Sequence, residues 1–424
     1  MKPRLLRSSA TIFAVALASA GIAAAAPPNA NTGAECPNGL ACRFAPAAYQ
    51  QNSADPGDYG NYDLANRPAD GLDIRFVVIH DTEVSYDGTI AIFQNPLAYV
   101  SAHYVTRSSD GQVTQMVATK NVAWQAGNWW VNTHSVGIEN EGFALDPSYF
   151  TNQLYHSLAR LTRYTAERYG IALDREHVIG HDQVPGPTDY FQTRMHWDPG
   201  TFFDWAHFMA LLGAPINSSS SDRTGRVVTI DPSFERNRPP VSACDTSGQH
   251  PLPPQPTNFV YLHTAPSESA PLQDDPLLPG PGTTCAQDWG DKAVTGQSFA
   301  VAERQGDWIA IWYGGEKAWF ENPAGAATAI PGGGTLVTPK AGVASIPVYG
   351  RAYPSTVSTV PLSYTIPAGQ TYVATDLVGA DYYSASTFNA PETYSVVTSD
   401  EKFYEISFNH RLAFVKATDV DVVS

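Results

Sequence analysis

The chain is short of positive charge. Lys and Arg number 25 against 41 Asp and Glu, giving a formal net charge of −16 over 424 residues. Phosphate recognition needs clustered cations and none is evident, so nucleic acid is excluded as a partner. A basic amphipathic stretch of the kind that lies on a membrane surface is also missing. Beyond the N-terminus no run of about 20 apolar residues occurs, which excludes a lasting membrane span. Gly and Pro, at 33 each, make up about 16% of the chain. That is loop-rich but below the roughly 25–30% of a disordered chain. The 43% apolar and 11% aromatic content supports real cores, and the length allows two to four domains.

What is present begins with an export signal. Lys2, Arg4 and Arg7 precede an Ala-rich apolar run from Ala10 to Ala26, followed by Pro27-Pro28. Charge, length and small-residue exit fit a secretory signal peptide over residues 1–25. Its removal leaves 22 basic residues against 41 acidic ones, a net charge of −19. The expected protein is secreted and monomeric. Only four cysteines occur, Cys36, Cys42, Cys244 and Cys285. An even number in an exported chain favours disulfides over metal ligands or free thiols. Three connectivities are possible, and sequence neighbourhood favours Cys36–Cys42 with Cys244–Cys285.

Residues 26–212 read as one mixed α/β domain. Phe76-Val77-Val78-Ile79 is a continuous apolar run, typical of a strand buried on both faces. Thr89 to Gln94 reads as a short helix, and Ala102–Val105 and Val113–Val117 flank an Asp110-Gly111 hairpin signal. Val136 to Glu141 reads as a strand. Leu154, Leu158, Leu161 and Thr165 fall at helical spacing, with Ser148 or Thr151 as start caps and Gly170 as the stop. Phe202 to Leu212 is a last helix. Residues 213–225, with four consecutive serines from Ser218 to Ser221, read as a linker.

Beyond the linker the pattern is short strands and turns, and it repeats. Trp308 to Phe320 aligns without gaps on Phe403 to Val415, each copy reading strand, tight turn, strand. Upstream of each lies a similar phrase, Gly296-Gln297-Ser298-Phe299 and Gly369-Gln370-Thr371-Tyr372. The copies resemble bacterial SH3-like modules. That resemblance implies two small all-β barrels, 226–330 and 331–424, which in exported wall enzymes often act as anchors. Service as spacers alone carries comparable weight.

The chemistry-bearing residues lie in the α/β domain. His80 ends the buried strand, where a polar residue is well placed for a site. Gly180-His181 and Trp197-Asp198-Pro199-Gly200 add a second imidazole and a carboxylate on loops. Two histidines and one carboxylate, with water in the fourth position, make a catalytic zinc site of the three-ligand kind. The spacing does not prove that they converge. A rival pair, His177 and His181, has the i,i+4 spacing of a helical zinc motif. It is discounted because Val178-Ile179-Gly180 is strand-like and the motif's glutamate is absent.

Val78-Ile79-His80-Asp81-Thr82, Ser101-Ala102-His103-Tyr104, Ala123-Trp124-Gln125-Ala126-Gly127, Ser135-Val136-Gly137-Ile138-Glu139, Gly180-His181 and Asp198-Pro199-Gly200 follow one another in this order. Together they resemble the zinc-dependent N-acetylmuramoyl-L-alanine amidases, the family related to peptidoglycan recognition proteins and to phage T7 lysozyme. The match covers residues 75–212, about a third of the chain. It implies a mixed central sheet flanked by helices, a groove for peptidoglycan, and zinc held by His80, His181 and Asp198. It places the general base at Glu139. Some relatives use instead a Tyr before the histidine matching His103, and here that position is Ala102. Glu141, on the same strand face as Glu139 by alternation, is expected to be a solvated or groove-lining carboxylate. Many relatives carry a Lys two residues before the carboxylate ligand. Here His196 stands there, and it is expected to stabilise the oxyanion. Gln125 replaces a common His, which bears on one substrate contact. His103 is expected to be a structural or groove residue rather than a ligand, and Asp182 to be a loop cap or a partner of the ligands. The loop from His181 to Asp198 is longer than in compact relatives. The expected reaction is hydrolysis of the lactyl–L-alanine amide of peptidoglycan, and the alternative is a binding-only recognition protein.

Overall fold

The computed structural model describes residues 33–218, 225–278 and 280–423. The leader over 1–25 and the linker serines from Ser219 to Ser221 lie outside them. Both disulfides pair as expected, Cys36–Cys42 and Cys244–Cys285. No helix among the described residues is long and apolar enough to cross a membrane.

The α/β domain is built on a six-stranded mixed sheet. Its strands are β1 (Cys42–Phe44), β2 (Phe76–Asp81), β3 (Tyr104–Thr106), β4 (Val113–Gln115), β5 (Ser135–Asn140) and β6 (Val178–Gly180), in spatial order β1-β4-β3-β5-β2-β6. Strand β2 lies between β5 and the edge strand β6 and runs parallel to both, with His80 opposite Glu139. The hairpin of β3 and β4 pairs Thr106 with Val113.

Local chemistry sets the helix ends. Helix α1 (Tyr86–Phe93) begins three residues before the expected Thr89, because the Ser85 hydroxyl accepts from the Gly88 amide at 3.3 Å. Helix α2 (Trp129–Thr133) carries no helical periodicity that its five residues could register, and Asn128 caps it. Helix α3 (Asn152–Tyr169) is capped by Thr151, whose hydroxyl accepts from the Leu154 amide at 3.2 Å. It stops at Gly170, which takes φ 71°, the left-handed conformation that favours glycine. Helix α4 (Asp189–Gln192) is a single turn in the loop between His181 and Asp198. Helix α5 (Trp205–Leu212) starts after Phe202 and Phe203, because the Asp204 carboxylate caps it by accepting from the His207 amide.

The C-terminal region contains two five-stranded antiparallel sheets of one topology. The first has β7 (Val227–Ile230), β8 (Ser298–Gln305), β9 (Trp308–Tyr313), β10 (Glu316–Glu321) and β11 (Ala329–Pro331), ordered β10-β9-β8-β7-β11. The second has β12 (Thr335–Pro339), β13 (Tyr372–Ser384), β14 (Ser395–Ser407), β15 (Leu412–Lys416) and β16 (Val420–Val423), ordered β15-β14-β13-β12-β16. The repeated sequences form the β9–β10 and β14–β15 hairpins.

This region is packed into the α/β domain. Alternate residues of β2 face opposite layers. Val77 and Ile79 join Leu154, Leu158, Leu161 and Phe208 under α3 and α5. Phe76 and Val78 join Ile179 and Trp130 in a second cluster with Tyr349, Val378, Phe403 and Phe414 of the C-terminal region. Burial of β2 on both faces thus requires both ends of the chain. Polar contacts follow the same seam, among them Arg75 to Asp376 at 2.6 Å, His134 to Asp381 at 3.0 Å and the Trp129 indole to the Tyr383 carbonyl at 2.8 Å.

Candidate metal centre

His80 leaves the sheet at the carboxyl end of β2, and the Asn140 amide at the end of β5 donates to its carbonyl at 2.8 Å. His181 opens the turn directly after β6, and Asp198 returns at the far end of the long loop. The Asp182 amide donates to the Asp198 carbonyl at 2.8 Å, closing the loop on itself. The three side chains meet, and all three are buried. The Nδ1 atoms of His80 and His181 are 3.1 Å apart. Asp198 places Oδ2 3.2 Å from His80 Nδ1 and Oδ1 3.2 Å from His181 Nδ1.

These separations fit a tetrahedral cation. Zinc bound to nitrogen at about 2.0–2.1 Å sets ligand atoms about 3.3 Å apart. Two buried ring nitrogens aimed at each other and at a carboxylate also suit a shared positive charge. Burial pushes the His181 imidazole down to about 4, which keeps it neutral and fit to ligate. Burial also opposes ionisation of Asp198, but the imidazoles of His181, His196 and His80 outweigh it and hold the carboxyl well below its usual range. Burial likewise opposes protonation of His80, yet Glu139 and Asp198 draw its pKa upward, so the cluster attracts positive charge. The donor set of two imidazoles and one carboxylate is that of catalytic zinc.

Gln125 settles the His80 tautomer. Its side-chain oxygen lies 2.5 Å from His80 Nε2, and its nitrogen donates to the Ser135 hydroxyl at 2.7 Å. That hydroxyl donates in turn to the Val131 carbonyl at 2.7 Å. The chain of donors leaves the proton of His80 on Nε2 and a bare lone pair on Nδ1. Gln125 is buried and lies behind the histidine, so it bears on the metal ligand and not only on the one substrate contact that the family resemblance linked to it. Gly137 makes room for it, since a Cβ there would lie 2.7–2.9 Å from the Gln125 side chain.

Glu139 stands across from His80 on β5. Its Oε2 is buried without a hydrogen-bond partner, and burial pushes its carboxyl up to about 7. Glu141 lies just past the end of the strand and, expected to be a solvated or groove-lining carboxylate, is half-exposed and bonded to backbone amides. It accepts from the Tyr86 amide at 3.0 Å and the Ser108 amide at 2.9 Å, tying α1 to the β3–β4 hairpin. His196 borders the open side of the centre. Its Nδ1 is 3.5 Å from Asp198 Oδ1, its ring lies 4.9 Å from that of His181, and its side chain is 72% exposed.

His103 is structural. It is fully buried, its Nδ1 accepts from the Gly137 amide, and its Nε2 faces the Asn121 carbonyl and Arg67. His177 stands apart from the metal group and pairs with Asp174 at 2.6 Å. The sequence reading passed over Asp81, which is buried beside Asp198 with neither carboxyl oxygen bonded. Burial and the Asp198 charge raise its pKa well above the usual range. Its place next to His80 was visible; its burial was not.

Residues 70–201 match the family model described as N-acetylmuramoyl-L-alanine amidase. The N-acetylmuramoyl-L-alanine amidase A of Achromobacter lyticus is 34% identical over 173 residues, which cover 37% of this chain and 90% of that protein. The chain belongs to this amidase family. The 1,6-anhydro-N-acetylmuramyl-L-alanine amidase AmpD of Enterobacter cloacae is 30% identical over 149 residues, covering 32% of this chain and 71% of AmpD. A solved structure of an AmpD derivative is 27% identical and covers 40% of this chain and 94% of its own, with a TM-score of 0.30. Membership of the family supports peptidoglycan amidase activity. The family match ends at residue 201, and none of these similarities covers more than 40% of the chain, so the C-terminal sheets rest on their own description.

Proposed function

We propose that the protein is an exported zinc-dependent N-acetylmuramoyl-L-alanine amidase that hydrolyses the amide between the lactyl group of muramic acid and L-alanine in peptidoglycan. The observation that carries this reading is the convergence of His80, His181 and Asp198 from three separate segments onto one tetrahedral-sized cluster. Zinc held there would supply Lewis acidity, bringing the pKa of a water toward about 7 and polarising the amide carbonyl.

The chain's own residues supply the rest. Glu139, with a buried unpaired oxygen and a pKa near neutrality, accepts the proton of the attacking water and returns it to the leaving amine. His196, at the open edge, donates to the oxygen that gains charge as the carbonyl becomes tetrahedral. Gln125 holds His80 in the ligating tautomer. Export is supported by the N-terminal leader and by two disulfides. We read residues 26–212 as the amidase domain, 213–225 as a linker, and 226–330 and 331–424 as SH3-like modules, the last two on the strength of their shared five-strand order.

Purified sacculi digested with the full chain should release free stem peptides with an L-alanine N-terminus, and should do so only when the protein carries zinc. Intact sacculi after digestion by a zinc-loaded sample would reject the enzyme in favour of a binding-only recognition protein.

A further inference from the structure

The two C-terminal copies differ where their hairpins turn. Aligned without gaps, Gly314-Gly315-Glu316 of the first copy stands opposite Asn409-His410-Arg411 of the second. One contact at each turn is reciprocal. Gln297 of the first copy donates to the His410 carbonyl of the second at 2.8 Å, and Gln370 of the second donates to the Gly315 carbonyl of the first at 2.6 Å. Those two glutamines are equivalent, as are the two carbonyls. Val227, Ala300, Leu336 and Val373 pack between the sheets. Each copy therefore holds the other's turn, in the manner of a two-fold pair within one chain.

The equivalence fails in what the side chains do. The glycine turn meets only the second copy, through the Phe408 carbonyl and the Tyr372 hydroxyl. In the other turn Asn409, His410 and Arg411 are all buried, with Arg411 only 1% exposed. Asn409 braces the turn, accepting from the Arg411 amide at 2.9 Å and donating to Asp275 at 3.0 Å. His410 Nε2 meets Asp182 Oδ2 at 2.9 Å and its Nδ1 faces the Lys292 carbonyl at 3.1 Å. The Arg411 guanidinium lies 4.4 Å over the Trp289 ring. It donates to the carbonyls of Val184 at 2.8 Å, His196 at 3.1 Å, His181 at 3.4 Å and Met195 at 3.5 Å. Those carbonyls belong to the two ends of the loop that delivers His181 and Asp198. A planar fork with five fixed donors bridges both ends at once, with more donors in a more rigid geometry than a lysine offers.

We propose that the Asn409-His410-Arg411 turn is a positioning element for the metal centre. Arg411 and His410 clamp the two ends of the loop from His181 to Asp198, so the amidase domain is competent only with its C-terminal region docked. This rests on the function proposed above. The same loop is held elsewhere by the second copy. Asn128 donates to both the Pro185 carbonyl and the Gly350 carbonyl, and Ser363 donates its amide to Asp189 at 2.8 Å. Gly350 touches Gly186 so closely that a Cβ would lie 2.0 Å from the Gly186 oxygen. The C-terminal region thus grips the middle of the loop as well as its ends.

The test compares full-length wild type, Arg411→Ala, Arg411→Lys and Arg75→Ala. The last removes an ion pair with Asp376 on the same seam, away from the loop. Deuterium exchange of residues 183–197 is measured on the metal-free protein, zinc loss to a chelator on the loaded protein, and kcat and KM on a muropeptide. Arg411→Ala should raise exchange in that segment above the rest of the domain. It should speed zinc loss about tenfold or more, and lower kcat with KM nearly constant. Arg411→Lys should fall between it and wild type, and reads the same three quantities should Arg411→Ala not fold. Arg75→Ala should match wild type in all three. Unchanged exchange and zinc loss in both Arg411 variants, or equal changes in Arg75→Ala, would overturn the proposal. A wild type that binds no zinc and cleaves nothing would sink the function proposed above, while exchange across 183–197 would still decide whether Arg411 holds the loop.

Discussion

Substitution of Gln125 isolates the smallest feature on which the metal centre depends. The side chain touches neither the ligand cluster's open side nor solvent, and its two hydrogen bonds run from His80 to Ser135. Gln125→Leu keeps the bulk, removes the acceptor and leaves the His80 Nε2 proton buried and unbonded. An orphaned buried donor costs about 1–3 kcal/mol, and removal of an outer partner of a metal ligand typically lowers affinity by about 10–100-fold. At about 1.4 kcal/mol per factor of ten the two scales agree. The expected result is therefore a 10–100-fold weaker zinc affinity, read by competition with a chromophoric chelator. Gln125→Glu retains an acceptor for His80 and should lie closer to wild type. Gly137→Ala offers an independent route, because its methyl would displace Gln125 from a 2.7 Å contact, and it should weaken zinc in the same direction. Zinc affinity within twofold of wild type in Gln125→Leu would refute the claim that this residue sets the His80 tautomer.

Three further outcomes follow from other parts of the molecule. Glu139→Gln should retain zinc and lose about 10²–10⁴-fold in kcat. Because the base acts deprotonated, wild-type activity should rise with pH through an acidic limb at or below 7, where burial sets the carboxyl and a nearby dication can only lower it. A Glu139→Gln enzyme with unchanged kcat would remove Glu139 from the chemistry. His196→Ala should keep zinc and lose turnover, and His196→Lys should restore part of it; full activity of the alanine variant at every pH rejects the oxyanion role. At the seam, burial pushes the Glu405 carboxyl up to about 8, so the fold binds a proton that the unfolded chain has lost above its ordinary pKa of 4.5. Stability should fall as pH rises from about 4.5 to 8, and the melting temperature of Glu405→Gln should fall less over that range. Parallel melting curves for the two proteins would show that Glu405 ionises freely.

Much of the α/β domain was legible because its signals are local. A four-residue apolar run marked β2, the leucine spacing marked α3, and Thr151 and Gly170 marked its ends. The three ligand positions were legible only through ordered short phrases, since nothing in their spacing of about a hundred and then 17 residues makes them meet. Helix α2 was missed because five residues cannot show a 3.6-residue period. Glu141 was placed in the strand because alternation presumes that the strand continues, and β5 ends one residue earlier. Gln125 was linked to a substrate contact and not to the metal, because a buried side chain behind a ligand leaves no periodic trace. The turn residues from Asn409 to Arg411 did leave one: three polar residues in place of Gly-Gly-Glu within an otherwise matching hairpin.

The second cluster around β2 bears on what the C-terminal region is for. A tether raises local substrate concentration only when a linker lets catalytic and binding modules sample space together. Here Phe76, Val78, Ile179 and Trp130 share one buried cluster with Tyr349, Phe403 and Phe414, and a fully buried apolar side chain of this size contributes about 1.5–3 kcal/mol. Removing the C-terminal region would therefore expose one face of the central sheet as well as release the metal-bearing loop. A protein truncated after residue 218 should aggregate or melt without cooperativity, whereas an enzyme with appended anchors would keep both its fold and its turnover on small muropeptides. Cooperative melting together with full activity on such substrates would assign the region to anchoring. Loss of both would make it the second half of the catalytic unit, and would explain why a domain that already holds all three candidate metal ligands carries a repeated β-structure pressed against its own active-site loop.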